Sequence, residues 1–450
     1  MKIAVLGCGL RTPLLIHGLG HSGLKISRLE LYDTNATHAQ VMTELGRILV
    51  SGGRMQLAAA ESPLTAIDGS SFVISSIRVG DMGTRARDER LAISCGLAGQ
   101  ETTGPAGFAM ALRTVPAAIE YARMVERTAP NAWIVNFTNP AGLITQAISK
   151  HSGARVIGIC DTPVELVFRI ANALNQPMEN IVCDYVGLNH LGWIRSVRVV
   201  GQDVTKRVLE DDVFLEHLYP ARLFSPNLIR ALQLIPTEYL FFYYSQRRAF
   251  ENQRRTNRTR GEELLELNRT VWAHLEAGVR QGNPAEALRS YRSYLNRRNA
   301  SYMRLEGEAG SALDQDDPGW DPFEGAAGYH RIAVETIQAL LKTEPSEMIL
   351  NSPNGTTLAE LQPEDVVELP CLVNCSGAVP MPVKPLPESV IGLTLAVKTF
   401  ERLTIQAAVE RSSALATLAL FTNPIVRDWD TAVEFCEKLK QSDPAFRGFR

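Results

Sequence analysis

Lys2-Ile-Ala-Val-Leu6-Gly7-Cys8-Gly9-Leu10-Arg11-Thr12-Pro13 decides the fold, read together with Leu29-Glu-Leu-Tyr-Asp33. Lys2 to Leu6 is a short apolar run of strand type, and Leu14 to Leu19 beyond the glycine turn is helix-like. Leu29 opens a second strand that ends on an acid, Asp33, 24 residues after Gly9. Strand, glycine loop, helix, strand and terminal acid make up the unit that binds a dinucleotide. Its glycines let backbone N–H groups approach a pyrophosphate at the helix N-terminus. Gly7, Gly9, Leu10, Arg11, Thr12 and Asp33 are therefore candidate cofactor residues. Thr12 stands where a third glycine belongs, and two glycines alone equally describe a tight strand–helix turn. Asp33 can accept from ribose hydroxyls and would repel a 2′-phosphate, which favours NAD over NADP.

Outward from this unit, Asp68 to Ile74 and Ala132 to Val135 read as further buried strands. They alternate with helical stretches at about Pro116 to Thr128 and Ala141 to His151. Such alternation predicts an α/β fold with a doubly wound, Rossmann-type parallel sheet. Polar clusters fall at strand ends, where ligands gather: Arg78-Val-Gly80, Asn136-Phe-Thr-Asn139-Pro140 and Cys160-Asp161. Beyond about residue 195 the texture changes. Glu262 to Gly278, Pro284 to Leu305, Tyr329 to Lys342, Ile391 to Leu420 and Asp428 to Lys440 are expected helices, and Pro353 to Pro387 is proline-rich and partly extended. We expect residues 1–195 to form the NAD-binding domain. Residues 196–450 then form a mainly helical α+β substrate and catalytic lobe on its ligand edge.

Val156-Ile-Gly-Ile-Cys160-Asp161-Thr162-Pro163 ends a strand on a cysteine, and Gly187-Leu-Asn189-His190 delivers a histidine from a second apolar-to-polar transition. A thiolate and an imidazole at two strand ends can hold a divalent metal while leaving most of its coordination open. A buried cysteine beside an unrelated core histidine is the blander reading. Cys371-x-x-x-Cys375 lacks a second Cys/His pair and reads as buried small hydrophobes.

Composition excludes several classes. The 450 residues, 45% hydrophobic and 21% charged, describe an ordinary soluble globular chain. A net charge of −3 gives no electrostatic case for nucleic acid or an anionic membrane. No apolar run reaches the roughly 18 residues of a membrane span. Seven scattered cysteines argue against a disulfide framework, and a reducing cytoplasm is expected.

At Gly99-Gln-Glu-Thr-Thr-Gly104-Pro-Ala-Gly107, Asn136-Phe-Thr-Asn-Pro-Ala-Gly142, Cys160-Asp-Thr-Pro163 and Gly187-Leu-Asn-His190 the chain resembles the family 4 glycoside hydrolases. The order of blocks continues through Ile235-Pro236-x-x-Tyr239, Arg260-Gly-Glu262 and Asp365-Val-Val-Glu-Leu-Pro370, covering nearly the whole chain. The resemblance implies an exception to two-carboxylate glycosidase chemistry. NAD⁺ oxidises the sugar at C3, a base removes the acidified C2 proton, and the C1 leaving group is eliminated. Water then adds and C3 is reduced again. A divalent metal, Mn²⁺ first, is implied with Cys160 and His190 as ligands.

Tyr239 resembles the tyrosine base, although Tyr239-Leu-Phe-Phe-Tyr243-Tyr244 offers three tyrosines. A phenol titrates near 10 and needs a cation to lower it. Asp161 matches a position that tends to be Asp in 6-phospho-α-glucosidases and Asn in 6-phospho-β-glucosidases. It reads either as a general acid or as a helix N-cap before Thr162-Pro163. Arg85 and Arg260 align with arginines around the 6-phosphate. Asn139 is implied at the sugar hydroxyls, Asn189 beside His190, and Arg78 among the cofactor residues. The opening loop departs from the family, because Arg11 stands near where a serine donor is common. We expect a 6-phospho-β-glucosidase acting on 6-phosphorylated glucosides, as a homodimer or homotetramer. Asp161 keeps the α-specific reading open. An NAD-dependent hydroxy-acid dehydrogenase is the rival of another class and has no use for Cys160 as a ligand; a non-catalytic NAD-binding sugar-phosphate sensor is the third.

Overall fold

The computed structural model describes residues 1–51, 53, 55–219, 221–304, 323, 328–426 and 428–450. Its strands are β1 (Lys2–Leu6), β2 (Arg28–Tyr32), β3 (Gln56–Ala59), β4 (Phe72–Ser75), β5 (Trp133–Asn136), β6 (Arg155–Gly158), β7 (Ile181–Leu188), β8 (Leu191–Val199), β9 (Gln202–Asp203), β10 (Ile235–Pro236), β11 (Ser346–Pro353), β12 (Val366–Asn374) and β13 (Gly377–Pro380). They join one sheet in the order β10-β8-β7-β12-β11-β6-β5-β4-β1-β2-β3. The six strands from β3 to β6 are parallel and run 3-2-1-4-5-6, the doubly wound order.

The short apolar runs are explained by burial on both faces. Along β1, Ile3 and Val5 enter one core while Ala4 and Leu6 enter the core on the opposite face. β4 divides in the same way, Phe72 and Ile74 to one side and Val73 to the other.

The direction in which successive strands are added to the sheet reverses between β1 and β4, and there the loops after these two parallel strands meet. Gly7 has φ +92°, and a Cβ on it would lie 2.4 Å from the Ser76 carbonyl oxygen. Gly7→Ala combines left-handed strain with a backbone clash, so it should cost about 2–4 kcal/mol of stability. A urea midpoint unchanged from wild type would refute this.

The second half is less purely helical than its texture suggests. β7, β8, β11 and β12 continue the sheet in antiparallel sense, with β11 joining β6 through Asn351 opposite Gly158. Three helix boundaries also differ from the sequence reading. The helix expected from Pro116 starts at Gly104 and carries Pro116 in its interior. A proline there costs about 3 kcal/mol, but Ala106, Phe108, Leu112 and Val115 are buried ahead of it. Fully burying Phe108 or Leu112 alone returns about 1.5–3 kcal/mol. The stretch Ile391 to Leu420 is two helices, Glu388–Glu410 and Ser413–Thr422, parted by Arg411 at φ +53° and re-capped by Ser412. The helix from Pro284 ends at Ala300, and Leu305, where it was expected to close, lies outside the described residues.

Candidate active site

The loops that leave β1, β4, β5 and β6 converge at the carboxyl edge of the parallel sheet. In the first, Gly9 carries no atom within 4 Å of the place a Cβ would take, so its outer face is open. The helix Thr12–His21 begins immediately after it. Leu10 and Thr12 are buried, and the Leu10 carbonyl accepts from Tyr291 Oη at 2.6 Å. Asp33 accepts from the Cys8 backbone N–H at 2.7 Å and from Asn35 N–H at 2.8 Å. The open glycine face, the helix N-terminus and the second-strand acid fit a dinucleotide.

Cys160 and His190 both reach this edge and both are buried. His190 lies in the two-residue turn between β7 and β8, next to the Leu188–Leu191 pair, at φ +61°. Such tight hairpin turns demand positive φ, and a histidine held there is a costly, over-determined placement. Its Nδ1 is 2.8 Å from Thr102 Oγ1, which leaves Nε2 as the nitrogen available to a metal. Burial pushes the imidazole down to about 4, with Asp161 acting in the opposite sense, so the ring is neutral at neutral pH. Burial also pushes the Cys160 thiol well up, and Glu368 and Asp161 add to it. A cation would offset that cost directly. Among the described residues no group of three His, Cys, Asp or Glu side chains could surround a metal. One thiolate and one imidazole leave the remaining positions to substrate or water.

Of the three tyrosines, Tyr239 stacks on His190, with ring centroids 3.9 Å apart and planes 13° apart. Tyr244 Oη instead accepts from Trp193 Nε1 at 3.0 Å, and Tyr243 is half-buried with Glu401 as its charged neighbour. Burial pushes the Tyr239 phenol up, and a hydrogen bond with Tyr302 pulls it down. The single Tyr302 hydroxyl proton is directed to Glu238 Oε1 at 3.1 Å.

Asp161 occupies the N-cap position of the helix Thr162–Ala173, yet its side chain makes no capping bond. It accepts instead from Arg11 Nη1 at 3.3 Å. Arg11 thus ties the cofactor loop to the end of β6, rather than serving only as a cofactor contact.

The other candidates are placed as follows. Arg78 ion-pairs with Glu101, and burial with the neighbouring Arg85 lowers it to about 9. Arg85 holds Glu89 at 2.8 Å and Glu101 at 2.5 Å. Arg260 Nη1 reaches Glu263 at 2.7 Å and the Ser301 carbonyl at 3.1 Å, and Nη2 reaches the Arg298 carbonyl at 2.8 Å. Asn139 precedes a cis Pro140 at the end of β5. Asn189 donates to Glu368 at 3.1 Å and accepts from Gly142 N–H at 3.3 Å.

Sequence reading assigned no role to Thr102, Glu101, Glu238, Tyr302 or Glu368. Glu368 is fully buried and accepts from Tyr185, Asn189 and Asn351 at 2.7, 3.1 and 2.9 Å. Burial still raises it to about 7. It holds Asn189, and so the turn that carries His190. Glu101, Thr102 and Glu368 lie inside the quoted sequence blocks, which was the signal available for them.

Fold and site define a doubly wound α/β enzyme whose dinucleotide edge carries a buried cysteine–histidine pair. The chain belongs to glycosyl hydrolase family 4: the family's model matches residues 2–176 and the model of its C-terminal domain matches residues 185–426. It is 28% identical to a 6-phospho-β-glucosidase of Thermotoga maritima, over 98% of each chain. It is also 28% identical to a 6-phospho-β-glucosidase of Escherichia coli, over 95% of this chain and 91% of the relative. A 6-phospho-α-glucosidase of Lacticaseibacillus paracasei is 25% identical over 92% and 90%. The Thermotoga maritima enzyme, solved with NAD and glucose-6-phosphate, superposes with a TM-score of 0.82 at 28% identity, covering 100% of this chain and 99% of that one. A form of it with manganese, NAD⁺ and glucose-6-phosphate gives 0.80.

Proposed function

We propose that this chain is a 6-phospho-β-glucosidase that uses NAD⁺ and a divalent cation, Mn²⁺ first. The observation that carries the reading is the stack of Tyr239 on His190 beside Cys160, at the edge where Gly7, Gly9 and Asp33 form a dinucleotide cradle. When bound, NAD⁺ supplies a reversible hydride acceptor and the cation an electrophile for adjacent sugar oxygens. Cys160 and His190 hold the cation. Tyr239 takes the C2 proton, and Tyr302 holds its phenol. Gly7, Gly9, Leu10, Arg11, Thr12, Asp33 and Arg78 line the cofactor side, while Arg85, Asn139, Asn189 and Arg260 line the sugar side. Residues 1–195 bring cofactor and metal, and residues 196–450 bring the base and cover the site.

Asp161 is the residue that favours α chemistry. Its carboxylate already accepts from Arg11, a side chain outside the family's common loop, so it serves as an acceptor toward the cofactor loop rather than as a free acid. That removes its main argument against the β anomer.

The seven free thiols fit a reducing cytoplasm. Among the described residues no helix is long and apolar enough to cross a membrane. Leu418, Phe421 and Trp429, each at least 40% exposed, support a homo-oligomer.

The deciding assay compares both anomers of 4-nitrophenyl glucoside 6-phosphate with their unphosphorylated versions. Turnover should be confined to the phosphorylated β anomer, need NAD⁺ and stop with EDTA. Activity that survives chelation, or net accumulation of NADH, would reject the reading.

A further inference from the structure

The helix Thr162–Ala173 buries Thr162, Pro163, Leu166, Val167, Ile170 and Ala171. Asp161, Glu165 and Arg169 recur every four residues on the other face, so they share one stripe. That stripe faces the elements carrying the proposed chemistry. Asp161 meets Arg11 of the cofactor loop, and Arg169 meets Glu238, the neighbour of Tyr239.

Asp161 and Glu165 each leave one oxygen without a hydrogen bond among the described residues, and Glu165 is the one not already tied to the cofactor loop. Its Oε2 is 3.2 Å from Arg169 Nη2, and its Oε1 has no hydrogen bond among the described residues. Arg169 is shared, because its Nη1 is 3.5 Å from Glu238 Oε2. Glu238 is fully buried and also accepts from Tyr302. The Glu165 side chain is one-third exposed (33%), recessed yet reachable by a ligand.

We propose that Glu165 is the catalytic residue that protonates the departing glycosidic oxygen. The assignment rests on the elimination reading above. As the C2 proton passes to Tyr239, its electron pair forms the C1–C2 double bond. The C1–O pair moves to the leaving oxygen, which takes the Glu165 proton. The carboxylate that remains is held by Arg169 and recovers its proton from water.

The surrounding charges support this protonation state. Burial is the largest influence on Glu165, followed by the carboxylates of Asp161 and Glu238; Arg169 and Arg11 oppose them. The balance pushes Glu165 up to about 8, so it carries a proton through neutral pH and loses it above. A group poised near the working pH is suited to general acid catalysis.

The test uses the full-length enzyme with NAD⁺ and Mn²⁺, and compares methyl with 4-nitrophenyl β-glucoside 6-phosphate. Methanol needs a proton to leave, whereas nitrophenolate does not. Glu165→Gln keeps the shape and an acceptor for Arg169. It should lower kcat on the methyl glycoside by about 100-fold or more, with the nitrophenyl rate within about 3-fold. Wild type should lose methyl turnover above about pH 8, and the variant should lack that limb. Asp161→Asn should depress both substrates alike. Equal losses on both substrates in Glu165→Gln would overturn the assignment, as would a leaving-group-dependent loss in Asp161→Asn. Should Glu165→Gln fail to fold, Glu165→Asp is read by the same methyl-to-nitrophenyl ratio, and an unchanged ratio overturns the assignment. Wild type inactive on both glycosides would sink the parent reading and this one together.

Discussion

Cys160→Ser should abolish turnover while NAD⁺ still binds. Serine is close in size, so the buried site between β6 and the following helix keeps its packing. What it loses is the thiolate, half of the protein's contribution to the proposed metal site, because among the described residues no third ligand stands in. A metal positioned on the sugar oxygens is worth several kcal/mol of charge stabilisation, and each 1.36 kcal/mol is tenfold in rate. The expected loss is therefore about 10³-fold or greater. The cofactor cradle at Gly7, Gly9 and Asp33 is built on other strands and does not depend on that sulfur. Nucleotide titration followed by intrinsic fluorescence should accordingly be unchanged. Wild-type turnover in Cys160→Ser would reject the ligand assignment, and loss of NAD⁺ binding would point to a collapsed edge instead.

The second large effect is expected from Tyr239→Phe. The phenylalanine ring can keep the 3.9 Å stack on His190, so the fold and the metal pair should survive. The hydroxyl and its bond with Tyr302 disappear. Removing a general base costs about 10²–10⁴ in kcat. Substrate carrying deuterium at C2 separates this from a loss of binding. Wild type should exchange the label with solvent and show a rate effect, whereas Tyr239→Phe should retain it. A variant that still exchanged C2 would move the base to another side chain. Tyr244 is poorly placed for that role because its oxygen is engaged by Trp193.

The phenol also shows why the cation matters. Burial raises Tyr239, and a hydrogen bond shared with Tyr302 is the main counterweight in the protein itself. A positive charge held by His190, as proposed, would lie directly against the ring and act in the direction the proposed base needs. The same ring–imidazole stack thus serves packing and chemistry.

Much of this was legible without coordinates, and the reasons are local. β1, β2, β4, β5 and β6 read as strands because a two-sided parallel sheet demands short apolar runs, and Ile3 to Leu6 meets that demand residue by residue, whereas the edge strand β3 was not singled out. Gly7 marked a turn because only glycine tolerates the close approach to Ser76. Cys160 and His190 stood out because each ends an apolar run on a ligand-type side chain. The misreadings were local as well. Pro116 suggested a helix start because proline favours the first turn, but the apolar face ahead of it outweighed the penalty. Arg411 reads as an ordinary helix-former, and nothing nearby in sequence signals its left-handed conformation.

The sequence by itself determined the strand–glycine–helix unit, the two-sided sheet and the cysteine and histidine that each end an apolar run. These depend on periodicity and on residue types a few positions apart. Only the tertiary structure decided which polar groups touch. Arg11 and Asp161 are 150 residues apart, Glu238 and Tyr302 are 64, and Asn189 and Glu368 are 179. The antiparallel strands bring Glu368 beneath the histidine turn, and helix packing sets Arg169 between two carboxylates. Whether Glu165 carries a proton depends on burial and on charges from three separate elements. No local pattern encodes those, because desolvation and Coulomb energy depend on distance in space rather than along the chain.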